Sequence, residues 1–168
     1  GGNAVDAAIA AAATLCVVEP QMTGVGGDCF ALVCEPDGTL HGLNGHGRSA
    51  KGATLDWYVE RGFTEIPGNS VHSVTAPGAV RAWEALHARF GRMDFARLFA
   101  DAVRLGREGF PVAPRVASDW AGLVDKLAAH EGGRRHLLVD GRAPRMGEMM
   151  RTPALAAVLE SVAKHGSP

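Results

Sequence analysis

The sequence predicts an α+β chain in which one antiparallel hairpin is set among helices, and three observations carry that reading. The run "AVDAAIAAAATLCVV" is rich in alanine, the strongest helix former, with almost no polar residue. "CFALVCE" and "TLHGLN" are β-compatible runs separated by Pro36-Asp37-Gly38, a turn sequence that suits a hairpin. From Pro77 onward apolar residues recur at helical spacing.

Each element has a local cause. Asn3 is positioned to cap the first helix, with Asp6 three residues on, and a helix with so little polar surface is expected to be buried on most faces. The stretch "EPQMTGVGGDCF" then packs Gly24, Gly26 and Gly27 ahead of the hairpin, and reads as a turn whose glycines let helix and strand approach closely. After the hairpin comes the loop "GHGRSAKGA". A short amphipathic helix from about Thr54 to Glu60 follows, carrying Trp57 and Tyr58, and then "VHSVT" as a short strand. Pro77 suits the first turn of a helix bearing Val80, Trp83, Leu86 and Phe90, and Gly91 suits its end. Asp94 opens the next, with Leu98, Ala102 and Leu105 on one face. A third is expected from about Pro114 to Ala129, an irregular segment from Glu131 to Met150, and a final helix from Thr152-Pro153 to near Gly166.

The totals exclude several classes of function. With 168 residues, a net charge of -1 and 21% charged residues, the chain has the size of one domain and no basic field for nucleic acid. No apolar run reaches the roughly 18 residues of a membrane span. The chain starts at Gly1 without methionine and stops at Pro168 just past a helix, so it reads as a segment of a larger protein, and its compartment is left unassigned. Cys16, Cys29 and Cys34 match no zinc or redox spacing and read as free thiols in apolar surroundings.

Few residues offer chemistry. The glycine loop lacks the Gly-Lys-Ser/Thr of a phosphate-binding loop. "GHGRSA" formally fits a relaxed dinucleotide pattern. Gly52 interrupts any helix starting there, however, and the strand before it belongs to a hairpin, so no cofactor is expected. The seven histidines are scattered without a helical pair or a carboxylate at ligand spacing, and no metal site is expected. Ser70, Ser73 and Thr75 lie in no nucleophile elbow. Arg48 stands out, flanked by small residues on a loop leaving the hairpin. There its planar guanidinium could face a cleft and hold a carboxylate by two bonds, or simply be solvated or ion-paired.

Taken together, "GGNAVDAAIAAAATLCVVEPQMTGVGGDCFALV", "SVTAPGAVRAWEALHARFGRM" and "ARLFADAVRLGREGFPV" resemble the large subunit of the gamma-glutamyltransferase family, which includes gamma-glutamyltranspeptidases and cephalosporin acylase-like members. The resemblance covers nearly the whole chain. It implies an N-terminal-nucleophile hydrolase, an αββα sandwich of which residues 1–168 form part of one domain, made as a self-cleaving precursor. It further implies that the nucleophile is an N-terminal threonine of a small subunit, the partner from the same precursor, and that no catalytic residue lies in this chain. Oxyanion donors also come from the small subunit in this family. Arg48 aligns with the family arginine that holds the α-carboxylate of a gamma-glutamyl substrate. Transpeptidases usually place a glutamate directly after that arginine and a proline shortly beyond, whereas Ser49, Ala50 and Lys51 stand here. That departure leaves open a hydrolase of gamma-glutamyl amides such as glutathione, an acylase acting on glutaryl-like amides, or a non-catalytic binding member. Family members occur in periplasmic or secreted as well as cytoplasmic settings.

Overall fold

In the computed structural model, which describes residues 1–68 and 70–167, Asn3 caps the first helix, α1 (Ala4–Val18), as its sequence requires. Its side chain accepts from the N–H groups of Val5 and Asp6, and the Asp6 carboxylate returns a bond to the Asn3 N–H at 2.9 Å. This reciprocal arrangement satisfies N–H groups that a helix start otherwise leaves open.

The remaining elements follow in order. Strands β1 (Cys29–Cys34) and β2 (Leu40–Gly45) pair antiparallel with Cys29 opposite Gly45 and Cys34 opposite Leu40. Helix α2 (Leu55–Val59) is capped by the Thr54 hydroxyl, and α3 (Ala79–Phe90) ends at Gly91. A 3-10 turn (Phe95–Phe99), capped by Asp94, runs into α4 (Ala100–Glu108). The two-residue strand β3 (Phe110–Pro111) is followed by α5 (Pro114–Ala121), α6 (Val124–Ala128) and α7 (Glu131–Leu137). Strand β4 (Met149–Met150) pairs with β3, and α8 (Pro153–His165) closes the series.

The chain divides into two compact units, one formed by Gly1–Val25 with Trp83–Pro168 and the other by Gly26–Ala82. In the first, α1, α4, α8 and the 3-10 turn pack on one another around Ile9, Val17, Phe99, Ala102 and Leu159, all buried. Trp83 lies 6.1 Å from Phe99 between ring centroids and extends that core. Gly106 lets α4 approach α8: a Cβ there would sit 3.0 Å from the Ala156 Cβ, and its carbonyl accepts the Thr152 N–H at 2.9 Å. Asp6, only 1% exposed, accepts from the N–H groups of Arg92 and Met93, and Asn3 donates to the Phe90 carbonyl. The start of α1 is thereby tied to the loop after α3. Backbone donation, from Asn3 above all, holds the Asp6 carboxyl below the usual aspartate range against the opposing effect of burial.

The structure corrects several expectations. Residues 71–75 form no strand: a 3-10 turn spans Val71–Ser73 instead. The Ser73 hydroxyl donates to the carbonyls of Gly68 and Ser70, and the Ser70 hydroxyl to that of Pro67, so local side-chain bonds replace a ladder. The helix expected over 114–129 breaks near Gly122, where Leu123 N–H bonds back three residues to Trp120 and tightens the turn. The segment expected to be irregular holds α7 and β4. Helix α1 is buried along Ile9, Ala13, Cys16 and Val17, whereas Ala4, Ala7, Ala8, Ala11 and Leu15 are exposed, because α4, α8 and the 3-10 turn cover one side only. A Cβ at Gly24 or Gly26 would meet nothing within 4 Å, so neither glycine serves a close approach.

Candidate functional site

The tight glycines lie elsewhere, around Arg48. Strand β2 ends at Gly45, where a Cβ would come within 2.6 Å of the Cys29 carbonyl oxygen. The Asn44 side chain accepts the His46 N–H at 3.0 Å and bends the chain out of the ladder. Gly47 is buried, its N–H donates to the Asp28 carboxylate at 2.8 Å, and a Cβ on it would overlap the Ala76 carbonyl oxygen. The Arg48 carbonyl accepts the Ala76 N–H at 3.0 Å. Gly78 passes so near Gly45 that a Cβ would collide with the Gly45 carbonyl oxygen. Gly78 and Ala79 both donate to the Gly27 carbonyl, at 3.0 and 2.9 Å.

Three backbone segments, 27–28, 45–48 and 75–79, are thus held together by hydrogen bonds at distances only glycine permits. Arg48 rides on that junction with an exposed side chain, and among the described residues no acid, carbonyl or ring engages its guanidinium. A planar fork with free donors on a braced backbone is suited to binding a carboxylate by two bonds.

A cleft of about 690 Å³ opens beside the junction, within the same unit, lined by residues between Ser49 and Thr75 in sequence. Trp57, Tyr58, His72 and Val74 form much of its wall. Its aromatic side is rigidly backed. His72 lies 5.1 Å from Phe63, 5.5 Å from Trp57 and 5.7 Å from Tyr58 between ring centroids, and Trp57 and Tyr58 meet edge to face at 5.0 Å. Arg61 covers the Trp57 ring at 4.2 Å.

The other sequence candidates do not gather into a centre. "GHGRSA" continues as irregular chain with no helix before Leu55, which removes the dinucleotide reading. Ser70 and Ser73 spend their hydroxyls on backbone carbonyls. Cys16 is buried, with its thiol pushed up by burial, and Cys29 and Cys34 lie on one strand, neither in a disulfide. Among the described residues no three His, Cys, Asp or Glu side chains are grouped to hold a metal, and no described helix is long and apolar enough to cross a membrane. Asp28 and Gly78 were not singled out by the sequence, and Gly47 was noted only as part of the dinucleotide-like pattern. The one available signal was the pair of glycines just before the basic loop residue, Gly45 and Gly47; the partners that make them necessary are far away in the chain.

Comparison with known proteins places this geometry. The structure superposes on cephalosporin acylase from Bacillus halodurans with a TM-score of 0.90 at 40% identity, over 98% of this chain and 32% of that one. It superposes on Helicobacter pylori gamma-glutamyltranspeptidase with a TM-score of 0.89 at 23% identity, over 98% of this chain and 48% of that one, a likeness of fold. The fold is that of the N-terminal-nucleophile hydrolases, an αββα sandwich of which this chain is a portion. The gamma-glutamyltranspeptidase family model matches residues 1–168, and the chain belongs to that family, which comprises gamma-glutamyltranspeptidases, glutathione hydrolases and acylase-type enzymes. Among curated relatives it is similar to the oxamate amidohydrolase proenzyme of Klebsiella pneumoniae, 38% identical over 99% of this chain, and to a glutathione hydrolase-like proenzyme of Bacillus subtilis, 36% identical over 99%. The chain spans about a third of the length of each, 32% in both cases.

Proposed function

We propose that this chain is the substrate-carboxylate-binding part of an amidohydrolase that cleaves gamma-glutamyl amides such as glutathione, with Arg48 as the residue that holds the substrate's free carboxylate. The observation that carries the reading is the guanidinium of Arg48, unpaired among the described residues, on its glycine-locked junction. The relatives' substrates support it by their chemistry, since glutathione and oxamate are both amides that carry a free carboxylate.

In this reading residues 1–168 are part of one domain completed by a small subunit cut from the same precursor. That subunit brings the N-terminal threonine. Its hydroxyl oxygen attacks the amide carbonyl, its own amine takes the proton, and the proton passes to the departing amine. Water, or an amino acid or peptide acceptor, then releases the acyl group from the threonine ester. No cofactor enters the scheme, and Arg48 fixes the acyl end while the small subunit performs the chemistry.

A second reading, an acylase-type amidohydrolase acting on glutaryl-like amides, is favoured by one observation: Ser49, Ala50 and Lys51 stand where transpeptidases carry glutamate and proline. The two readings share Arg48 and differ in whether the substrate's α-amino group matters.

Two measurements test the proposal. Denaturing gels of the full-length precursor over time are expected to show it splitting into two fragments, and a precursor that stays whole contradicts the self-cleaving scheme. Arg48→Ala in the processed enzyme is expected to weaken use of gamma-glutamyl substrates mainly through KM, by about 2 to 4 kcal/mol in kcat/KM, the cost of a bound carboxylate without its partner. Unchanged kinetics remove Arg48 from the site.

A further inference from the structure

The cleft next to Arg48 has a chemistry that the carboxylate contact alone leaves unexplained. Its volume, about 690 Å³, falls within the roughly 300 to 1,000 Å³ common to small-molecule sites. Among the described residues no Asp, Glu, Lys or Arg lines it. Its wall is instead an indole, a phenol, an imidazole and branched aliphatic groups, with the Ser49 and Thr75 hydroxyls also in the lining. Such a wall favours an apolar ring and disfavours a second charge, which would be desolvated without a partner.

Position decides which part of a substrate reaches the cleft. Ser49 follows Arg48 directly, and Thr75 precedes Ala76, whose N–H is bonded to the Arg48 carbonyl. The cleft therefore adjoins the carboxylate-holding end of the site. In a gamma-glutamyl or glutaryl amide the scissile bond lies several bonds away from that carboxylate, so the leaving amine is directed elsewhere. The rings of Trp57, Tyr58, Phe63 and His72 are already packed against one another, so a bound ring meets a preformed surface.

We propose that this cleft, walled by Trp57, Tyr58 and His72, is a specificity subsite for an apolar, ring-bearing substituent carried on the acyl half of the substrate, close to its free carboxylate. The inference rests on the carboxylate role of Arg48. It lets the site accept an acyl donor bulkier on the carboxylate side than the unsubstituted gamma-glutamyl group of glutathione.

The test uses the full-length processed enzyme and two chromogenic probes, gamma-glutamyl-p-nitroanilide and its N-benzoyl derivative. Wild type is expected to favour the benzoyl probe by about tenfold or more in kcat/KM, the scale of one well-filled apolar pocket. Trp57→Ala is expected to remove that preference while leaving the parent probe within about twofold. Because Trp57 also packs in the ring cluster, Val71→Trp is the companion variant. Val71 lines the cleft and belongs to none of the packed rings, so the larger side chain there narrows the cleft without disturbing the cluster, and the same selective loss is expected. Arg48→Ala is expected to lower both probes together. If Arg48→Ala lowers both but wild type shows no preference for the benzoyl probe, or Trp57→Ala and Val71→Trp leave that preference intact or reduce both probes equally, the subsite is overturned and the carboxylate reading survives. If Arg48→Ala leaves both probes unchanged, the carboxylate reading falls and takes the subsite with it.

Discussion

At Arg48 the decisive feature is what surrounds the side chain rather than the side chain itself. A loop arginine between small residues is common, and the sequence alone left solvation and carboxylate binding both open. The structure adds a reason for the small residues: Gly47 has the Ala76 carbonyl where its Cβ would be, and its N–H is bonded to Asp28. None of this was legible in the sequence, because Asp28 and Ala76 lie far along the chain from Gly47 in either direction. The conspicuous glycines, Gly24 and Gly26, have open space around them, so glycine density drew attention to the wrong positions. Gly47→Ala is accordingly expected to destabilise the protein by about 1 to 3 kcal/mol through overpacking and to weaken carboxylate-bearing substrates as Arg48 loses its support. Gly26→Ala serves as the control and is expected to change neither. Chemical denaturation with steady-state kinetics checks both, and equal effects at the two positions would contradict the junction.

At the scale of elements, the parts with local causes were the ones the sequence predicted well. The capped α1, the hairpin with its Pro-Asp-Gly turn, and α3 with its terminal glycine each follow from neighbouring residues. Residues 71–75 failed because β-compatible side chains need a partner strand, and the two serines offered the backbone nearer bonds. The segment from Glu131 to Met150, expected to be irregular, holds α7 and β4. The loop between them is braced by a fork in which Arg142 holds both Glu148 oxygens at 2.9 Å while Arg145 N–H adds a third bond at 2.8 Å. Arg142 foremost, then the Arg145 N–H, takes the Glu148 carboxyl from its ordinary 4.5 down to about 2. A carboxyl with a lowered folded pKa stabilises fully above its unfolded value, so this contribution is present above pH 4.5 and is lost as the pH falls toward about 2. Asp6 acts in the same direction. The pair is partly solvated, which limits its strength. Glu148→Gln is therefore expected to flatten, without abolishing, the fall in melting temperature across that window, and a pH–Tm series with an unchanged slope would argue against the fork.

At the scale of the molecule, the unit Gly26–Ala82 exposes an unusual amount of apolar surface. Phe30 is 68% exposed, Leu32 76% and Leu40 63%, all from one face of the hairpin. A contiguous patch of this kind marks a surface that is covered in the working protein. In the proposed scheme the remainder of the enzyme covers it, in keeping with a chain that spans about a third of its relatives. The family was legible in the sequence because the alanine helix, the hairpin and α3 preserve long local patterns. The acyl substrate was not, because in the proposed scheme its recognition is divided between this chain and the remainder of the enzyme.

The most direct test of the central claim compares a gamma-glutamyl anilide with its α-methyl ester on wild-type enzyme and on Arg48→Ala. If Arg48 holds the free carboxylate, wild type strongly prefers the acid, and Arg48→Ala treats acid and ester alike by losing activity on the acid alone. A variant that still prefers the acid as strongly as wild type would contradict the account.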